Sequence, residues 1–190
     1  ALFRRHANGG RATVVYDEPF FGNAGLLCCD LAGNRLWHTD LGTFPIMHGP
    51  GSTPVLYHNL VIVVQDQNEG ESLCAAFDKT TGERVWHTPR PNSMGWSSPV
   101  IMRIGDRDEL IYNGSNAVVA YDPATGKELW SIAGTSIESI PMIVSGGGLF
   151  YSASGRNGPI FAFRPGGTGD ITSSHGVWRL ERGGPHVPTP

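Results

Sequence analysis

The sequence predicts an all-β fold: a β-propeller of four-stranded antiparallel blades, with four blades in the chain. Two repeat registers and a Gly-rich composition of low charge carry that prediction. The first register is the phrase Asp30-Leu31-Ala32-Gly33-Asn34-Arg35-Leu36-Trp37, echoed from Asp78 through Gly82 to Trp86 and from Asp122 through Gly126 to Trp130. A looser fourth copy runs from Phe163 through a long Gly-rich insert to Val177-Trp178, so the tryptophans stand 49, 44 and 48 residues apart. The second register is Thr53-Pro54, Ser98-Pro99, Ile140-Pro141 and Thr189-Pro190, spaced by 45, 42 and 49 residues. A period in the forties made of short β runs and Gly turns signals a propeller or a related array, and Pro suits the start of a strand, where no ladder donor is required.

Composition agrees. Hydrophobic residues make up 39% of the 190, charged residues only 16%, and there are 26 Gly and 14 Pro. Many short strands joined by Gly turns produce that profile, and helices do not. A net charge of −3 argues against a nucleic-acid surface. No run of 18 apolar residues is present to span a membrane. The chain begins without Met and without a secretory leader, so its ends read as processed or cut.

The blades parse at approximately 1–40, 53–88, 98–132 and 140–180. In the second, 54–57 is a short inner strand, and 60–64 is an apolar, β-branched run suited to burial on both faces. Residues 65–70 form a polar loop, 72–78 the third strand and 84–88 the outer strand. The third repeat predicts strands near 99–103, 109–113, 117–121 and 128–132. The fourth predicts them near 141–144, 148–153, 159–163 and 176–180. In the first, 1–5 is expected to supply the inner strand, with 11–16, 26–30 and 35–39 following.

The Asp-x-x-Thr-Gly turn has a mechanical reading. Asp and Thr side chains bond nearby backbone amides, and Gly supplies the positive φ. The Trp four residues later is a large flat apolar body suited to lie between blades, so Trp37, Trp86, Trp130 and Trp178 are all expected to hold neighbouring blades together. Three cysteines make no disulfide framework. Cys28 and Cys29 are adjacent on one strand and point to opposite faces. They are expected reduced and buried as small hydrophobes, as is Cys74. The insert 164–172 lacks the Lys and the strand-to-helix setting of a phosphate loop and reads as a long outer turn. No Gly-x-Ser-x-Gly and no zinc-spaced His pair occurs; His38 and His87 simply follow repeat tryptophans.

Ala75-Ala76-Phe77-Asp78 through Trp86, and Val119-Ala120-Tyr121-Asp122 through Trp130, resemble the quinoprotein-type, pyrroloquinoline-quinone-binding-like propeller repeat. The resemblance covers nearly the whole chain. It implies a wheel of about seven or eight blades, so four blades leave three readings: part of a longer protein, half of an eight-bladed ring closed by a second copy, or a four-bladed closure. An open arc leaves bare blade faces that need partners, either the remaining blades or another copy. The family includes dehydrogenases that hold quinone under a stacked Trp with Ca²⁺, and non-catalytic propellers resembling the outer-membrane protein assembly lipoprotein. Dehydrogenases of the family often carry a vicinal cysteine pair beside the quinone, but Cys28-Cys29 fills the strand positions that Ala76-Phe77 and Ala120-Tyr121 fill in the other copies. The resemblance also implies export to the periplasm or the cell exterior.

Loops feeding the inner strands surround the channel mouth, and loops between second and third strands reach the same face. The expected ligand-binding residues there are His48, Trp96, Ser97, Asn113, Glu138, Asn157 and His186. Their chemistry varies where the blade core repeats, which is how repeat folds build sites. Carboxylate and amide oxygens on these loops, such as Asp66, can serve Ca²⁺, although no dedicated calcium-loop spacing is present. The reading is a non-catalytic binding propeller for a protein, glycan or small ligand, with no cofactor. The alternative is a fragment of a dehydrogenase that uses pyrroloquinoline quinone and Ca²⁺.

Overall fold

The structure is a computed structural model, and it describes residues 13–16, 23–43, 48–49, 51–91, 93–187 and 189. The strand expected at 1–5 lies outside the described residues, as does Pro190. The first blade contains β1 (Thr13–Tyr16), β2 (Asn23–Cys29) and β3 (Arg35–Thr43), and the second β4 (Val55–Tyr57), β5 (Leu60–Gln65), β6 (Ser72–Asp78) and β7 (Arg84–Arg90). The third contains β8 (Val100–Ile104), β9 (Arg107–Asn113), β10 (Ala117–Tyr121) and β11 (Glu128–Ala133). The fourth contains β12 (Val144–Gly146), β13 (Leu149–Ala153) and β14 (Ile160–Phe163). Its insert then forms β15 (Gly169–Asp170) and a single helical turn, α1 (Thr172–His175), before β16 (Gly176–Leu180). Each blade is an up-and-down antiparallel meander. Among the described residues, no helix is long and apolar enough to cross a membrane.

The strands alternate between two inter-blade cores, as period-two side chains must. On β5, Val61 and Val63 pack with Leu26, Cys28 and Trp37 of the first blade. Ile62 and Val64 point the other way and pack with Leu110 and Tyr112 of the third. Ile111, between those two, joins Phe150, Phe161 and Phe163 of the fourth. A strand buried on both faces reads as an unbroken apolar run, which is why Leu-Val-Ile-Val-Val needs no polar alternation.

One pairing recurs in all four blades. Trp37, Trp86, Trp130 and Trp178 stand opposite Cys28, Ala76, Ala120 and Ala162, and the register shifts immediately after each small residue. A small side chain leaves room for the indole, and the bulge adds twist before the turn. Cys28 is therefore the alanine of its repeat. It is buried, whereas Cys29 is half-buried, a correction to the expectation that both are covered: the bulge and strand alternation turn Cys29 away from the core that encloses Cys28.

The turns behave as their sequences predict. Asp78 Oδ1 accepts the amides of Thr80 and Thr81 at 2.7 and 3.0 Å, and Gly82 N–H donates to Asp78 O at 2.8 Å. Asp30 and Asp122 accept the amides two residues on, at 2.9 and 2.8 Å. Hydrogen bonds from Asn34 hold the Asp30 carboxyl below the usual carboxylate range.

The insert is the main departure. Rather than a free outer turn, β15 pairs in parallel with β11, with Trp130 opposite Gly169, making the third sheet five-stranded. Ile171 is buried in the core between third and fourth blades, and Thr172 Oγ1 accepts Ala133 N–H at 2.9 Å. The insert is thus a strap that covers the outer edge of the preceding blade and shields an edge strand that would otherwise be bare.

Candidate functional site

The loops before the inner strands are stitched to one another across blades. Ser93 N–H donates to Gln67 O at 3.0 Å, Trp96 N–H to Ser139 O at 3.0 Å, and Glu138 N–H to Met94 O at 3.3 Å. Gly95 forms β-bridges with Asp66 on one side and Ser139 on the other. Gly95 has no freedom to become anything larger: a Cβ there would stand 2.8 Å from Tyr112 Oη and 3.2 Å from Asp66 Oδ2. A continuous hydrogen-bonded ledge therefore joins the second, third and fourth blades at one end of their inner strands.

The expected site residues divide on this ledge. His48 and Trp96 come together, their rings 5.9 Å apart, and Trp96 Nε1 donates to Gly49 O at 2.9 Å. Trp96 is half-buried rather than facing solvent as its loop position suggests, because its indole closes over Gly51, where a Cβ would lie 2.8 Å from Trp96 Cδ1. Glu138 pairs with Arg156 and has φ +67°, and Asn157 has φ +59°. His186 borders the same point as Glu138: a Cβ on Gly155 would meet the backbone carbonyls of both. Asn157 is exposed, and its Oδ1 accepts Gly183 N–H at 2.9 Å.

Ser97 and Asn113 are consumed by the scaffold. Both are fully buried. Ser97 Oγ donates to Pro141 O at 3.0 Å. Asn113 Nδ2 donates to Pro141 O at 2.8 Å and to Ala153 O at 2.9 Å, and its Oδ1 accepts Ser152 Oγ at 2.8 Å. With its amide engaged on both sides, Asn113 clamps the inner end of the fourth blade and offers no group to a ligand. A position in sequence places a residue near the channel mouth but does not say whether the neighbouring blade has already taken its hydrogen bonds.

Sequence reasoning missed Arg90. It ends β7, two residues past the last repeated position, and donates to Asp66 Oδ1 at 2.6 Å and Oδ2 at 3.0 Å. It also donates to the Tyr121 hydroxyl and lies 4.7 Å over the Tyr112 ring. Burial raises the Tyr112 and Tyr121 hydroxyls well above their ordinary range. Nothing local in the sequence marked it, since the outer strand Arg84–Arg90 also carries Arg84, His87 and Thr88 and Asp66 lies 24 residues earlier. Glu109 was missed as well: fully buried, it accepts Trp130 Nε1–H at 2.7 Å and Arg107 Nε–H at 2.7 Å.

These pairings bear on quinone and Ca²⁺. Asp66 is spent on Arg90, Glu138 on Arg156, and the Asn113 amide on backbone. Cys28 lies in the core between first and second blades, under Trp37. Among the described residues, no three of His, Cys, Asp or Glu converge as metal ligands. The described residues do not assemble the donor set that a quinone–Ca²⁺ site requires.

What stays open is the rim above the ledge. Ile137 and Val187 are 62% and 60% exposed, each adjacent to a residue that borders Gly155. Arg156, Asn157 and His186 are exposed beside them.

A family model described as outer membrane protein assembly factor BamB matches residues 4–187. No curated protein matches significantly. Among solved structures, BamB from Moraxella catarrhalis aligns with TM-score 0.57 and 13% identity, over 90% of this chain and 49% of that one. Quinohemoprotein alcohol dehydrogenase from Comamonas testosteroni aligns with TM-score 0.58 and 16% identity, over 92% and 34%. A europium-containing methanol dehydrogenase aligns with TM-score 0.59 and 13% identity, over 92% and 40%. The chain spans half or less of each of these structures, and at such identities the likeness is one of fold.

Proposed function

We propose, because the chain belongs to the family of outer membrane protein assembly factor BamB, that it is a non-catalytic binding module whose ligand is a protein. The observation that carries this is the contrast between ledge and rim. The ledge is joined across three blades by backbone hydrogen bonds, and its Asp66 and Asn113 side chains are paired within the protein. The rim presents exposed Ile137 and Val187 around the Glu138–Arg156 pair. Exposed apolar side chains flanking an ion pair suit a protein surface better than an enclosed small-molecule cavity. His48 and Trp96 add an aromatic pair on the same ledge, and aromatic anchors are common at protein interfaces. Membership of this family and the repeat resemblance support a location in the periplasm or outside the cell.

The test uses a photo-crosslinking residue at position 137 and, as a control, at exposed Arg84 on the outer edge. The bait is a purified outer-membrane β-barrel protein diluted from denaturant. Cross-linking at 137 that Ile137→Asp with Val187→Asp reduces, and none at 84, is the expected result. The same protein is titrated calorimetrically with pyrroloquinoline quinone plus Ca²⁺. Saturable quinone binding abolished by Trp96→Ala, with no cross-linking at 137, would favour the dehydrogenase alternative.

A further inference from the structure

Asn stands before Gly twice among the described residues, at Asn113-Gly114 and Asn157-Gly158. Gly in the second place carries no Cβ, so its main-chain nitrogen can approach the preceding side-chain carbonyl unhindered. The fold treats the two amides oppositely. Asn113 is fully buried. Its Nδ2 donates to two backbone carbonyls, its Oδ1 accepts Ser152 Oγ–H at 2.8 Å, and Gly114 N–H donates to Ala117 O at 3.1 Å. Asn157 is exposed on the turn between β13 and β14, next to half-buried Gly158. Its Nδ2 has no partner among the described residues, and its Oδ1 accepts Gly183 N–H at 2.9 Å. A backbone bond from Gly158 N–H to Gly155 O, at 3.1 Å, is all that occupies the neighbouring nitrogen. The Gly183-Gly184 segment runs alongside, with Gly184 N–H on Gly158 O at 3.0 Å.

We propose that Asn157 is a site of self-modification by deamidation and isomerisation, with water as the co-reactant. Gly158 N gives its proton to solvent hydroxide and bonds to Asn157 Cγ. Negative charge gathers on Oδ1, where Gly183 N–H already points; a fixed donor at a developing oxyanion lowers the barrier. The Cγ–Nδ2 bond then breaks, and Nδ2 takes a proton from water and leaves as ammonia. A cyclic succinimide remains. Water reopens it, and Gly158 N regains its proton. Opening at Cγ leaves aspartate at position 157, whose carboxylate can still accept Gly183 N–H. Opening at the main-chain carbonyl carbon leaves isoaspartate, with the chain rerouted through Cγ. Overall one water is consumed and one ammonia released. Either product adds a negative charge to the turn that carries Arg156, the partner of Glu138. This inference concerns the chemistry of the turn and does not rest on the reading of the rim as a binding surface.

The chain is incubated in mildly alkaline buffer, with and without guanidinium chloride, then digested and mapped by mass spectrometry, with enzymatic methylation marking isoaspartate. In the folded chain, position 157 is expected to convert within about tenfold of its rate in the unfolded chain, because exposed turns open at almost no cost. Position 113 should convert at least about 100-fold more slowly folded than unfolded, since its side-chain bonds break only when the inner end of the fourth blade opens. Asn157→Gln, whose ring closure is far slower, should leave no product at that position with the circular dichroism spectrum unchanged. A folded chain in which position 157 is as inert as position 113 overturns the proposal. So does a product that is aspartate alone, since that would be direct hydrolysis without the ring.

Discussion

Arg90 grips Asp66 through two parallel hydrogen bonds of 2.6 and 3.0 Å, and both side chains are buried. The pair ties the end of the second blade's outer strand to the ledge, and through the Tyr121 hydroxyl and the Tyr112 ring it reaches the third blade. Removing one partner strands the other charge without water. Arg90→Ala should therefore lower unfolding free energy by about 3–5 kcal/mol, read by urea titration. A double replacement, Arg90→Met with Asp66→Leu, should cost less than either single change. A single-variant loss near zero would show that the pair is solvated in solution.

The repeat tryptophans should not be equivalent. Trp86→Ala opens a cavity between second and third blades and should cost about 3–5 kcal/mol. Trp178→Ala, at an exposed face, should cost under about 1 kcal/mol in the monomer. Trp96 falls between them, since it is half-buried and donates to Gly49 O. Denaturant midpoints at low protein concentration measure all three, and the order Trp86, Trp96, Trp178 is the expectation.

Gly126 and Gly33 occupy the same turn position with φ of +74° and +87°. Alanine at either costs about 1–2 kcal/mol of backbone strain. At Gly126 the new methyl also collides with the Trp86 ring, whereas at Gly33 it meets nothing. Gly126→Ala should therefore be clearly the more destabilising in the monomer, by thermal unfolding. Equal losses would mean that Trp86 moves aside freely.

The alkaline limb of stability should carry a thiol. Burial pushes the Cys74 thiol from 9.0 up to about 12. Its neutral form is favoured in the fold, so the contribution is complete below pH 9 and declines as pH rises from 9 to about 12, because the unfolded chain releases the proton first. Cys74→Ala should flatten the fall of stability over that window by up to about 1.4 kcal/mol per pH unit, measured by urea unfolding at stepped pH. In native protein at neutral pH, half-buried Cys29 should alkylate before Cys28 and Cys74, and unfolding without reductant should release three thiols.

Sequence alone determined the blades. Each Asp-turn-Gly-Trp phrase acts within about ten residues, through an Asp that bonds its own turn and a Trp set opposite a small residue on the neighbouring strand. Local physics of that kind repeats wherever the residues do, so strands, turns and the structural role of Trp37, Trp86 and Trp130 were legible before any coordinates. Tertiary structure decided the rest, because it depends on what the next blade has to offer. Trp130 meets no turn glycine; it donates to buried Glu109 and lies under a strap that read as a loop. Trp178 matches the repeat in sequence and is left half in water. Asn113 and Glu138 were both expected at the channel face, yet packing gave the Asn113 amide to backbone carbonyls and turned the Glu138 carboxylate toward Arg156 at the rim. Arg90 found Asp66, 24 residues earlier and in another loop, only because β6 and β7 return the chain to the ledge. A repeat specifies its own hairpin; whether a polar side chain is spent or available is settled by which neighbour reaches it first as the blades stack.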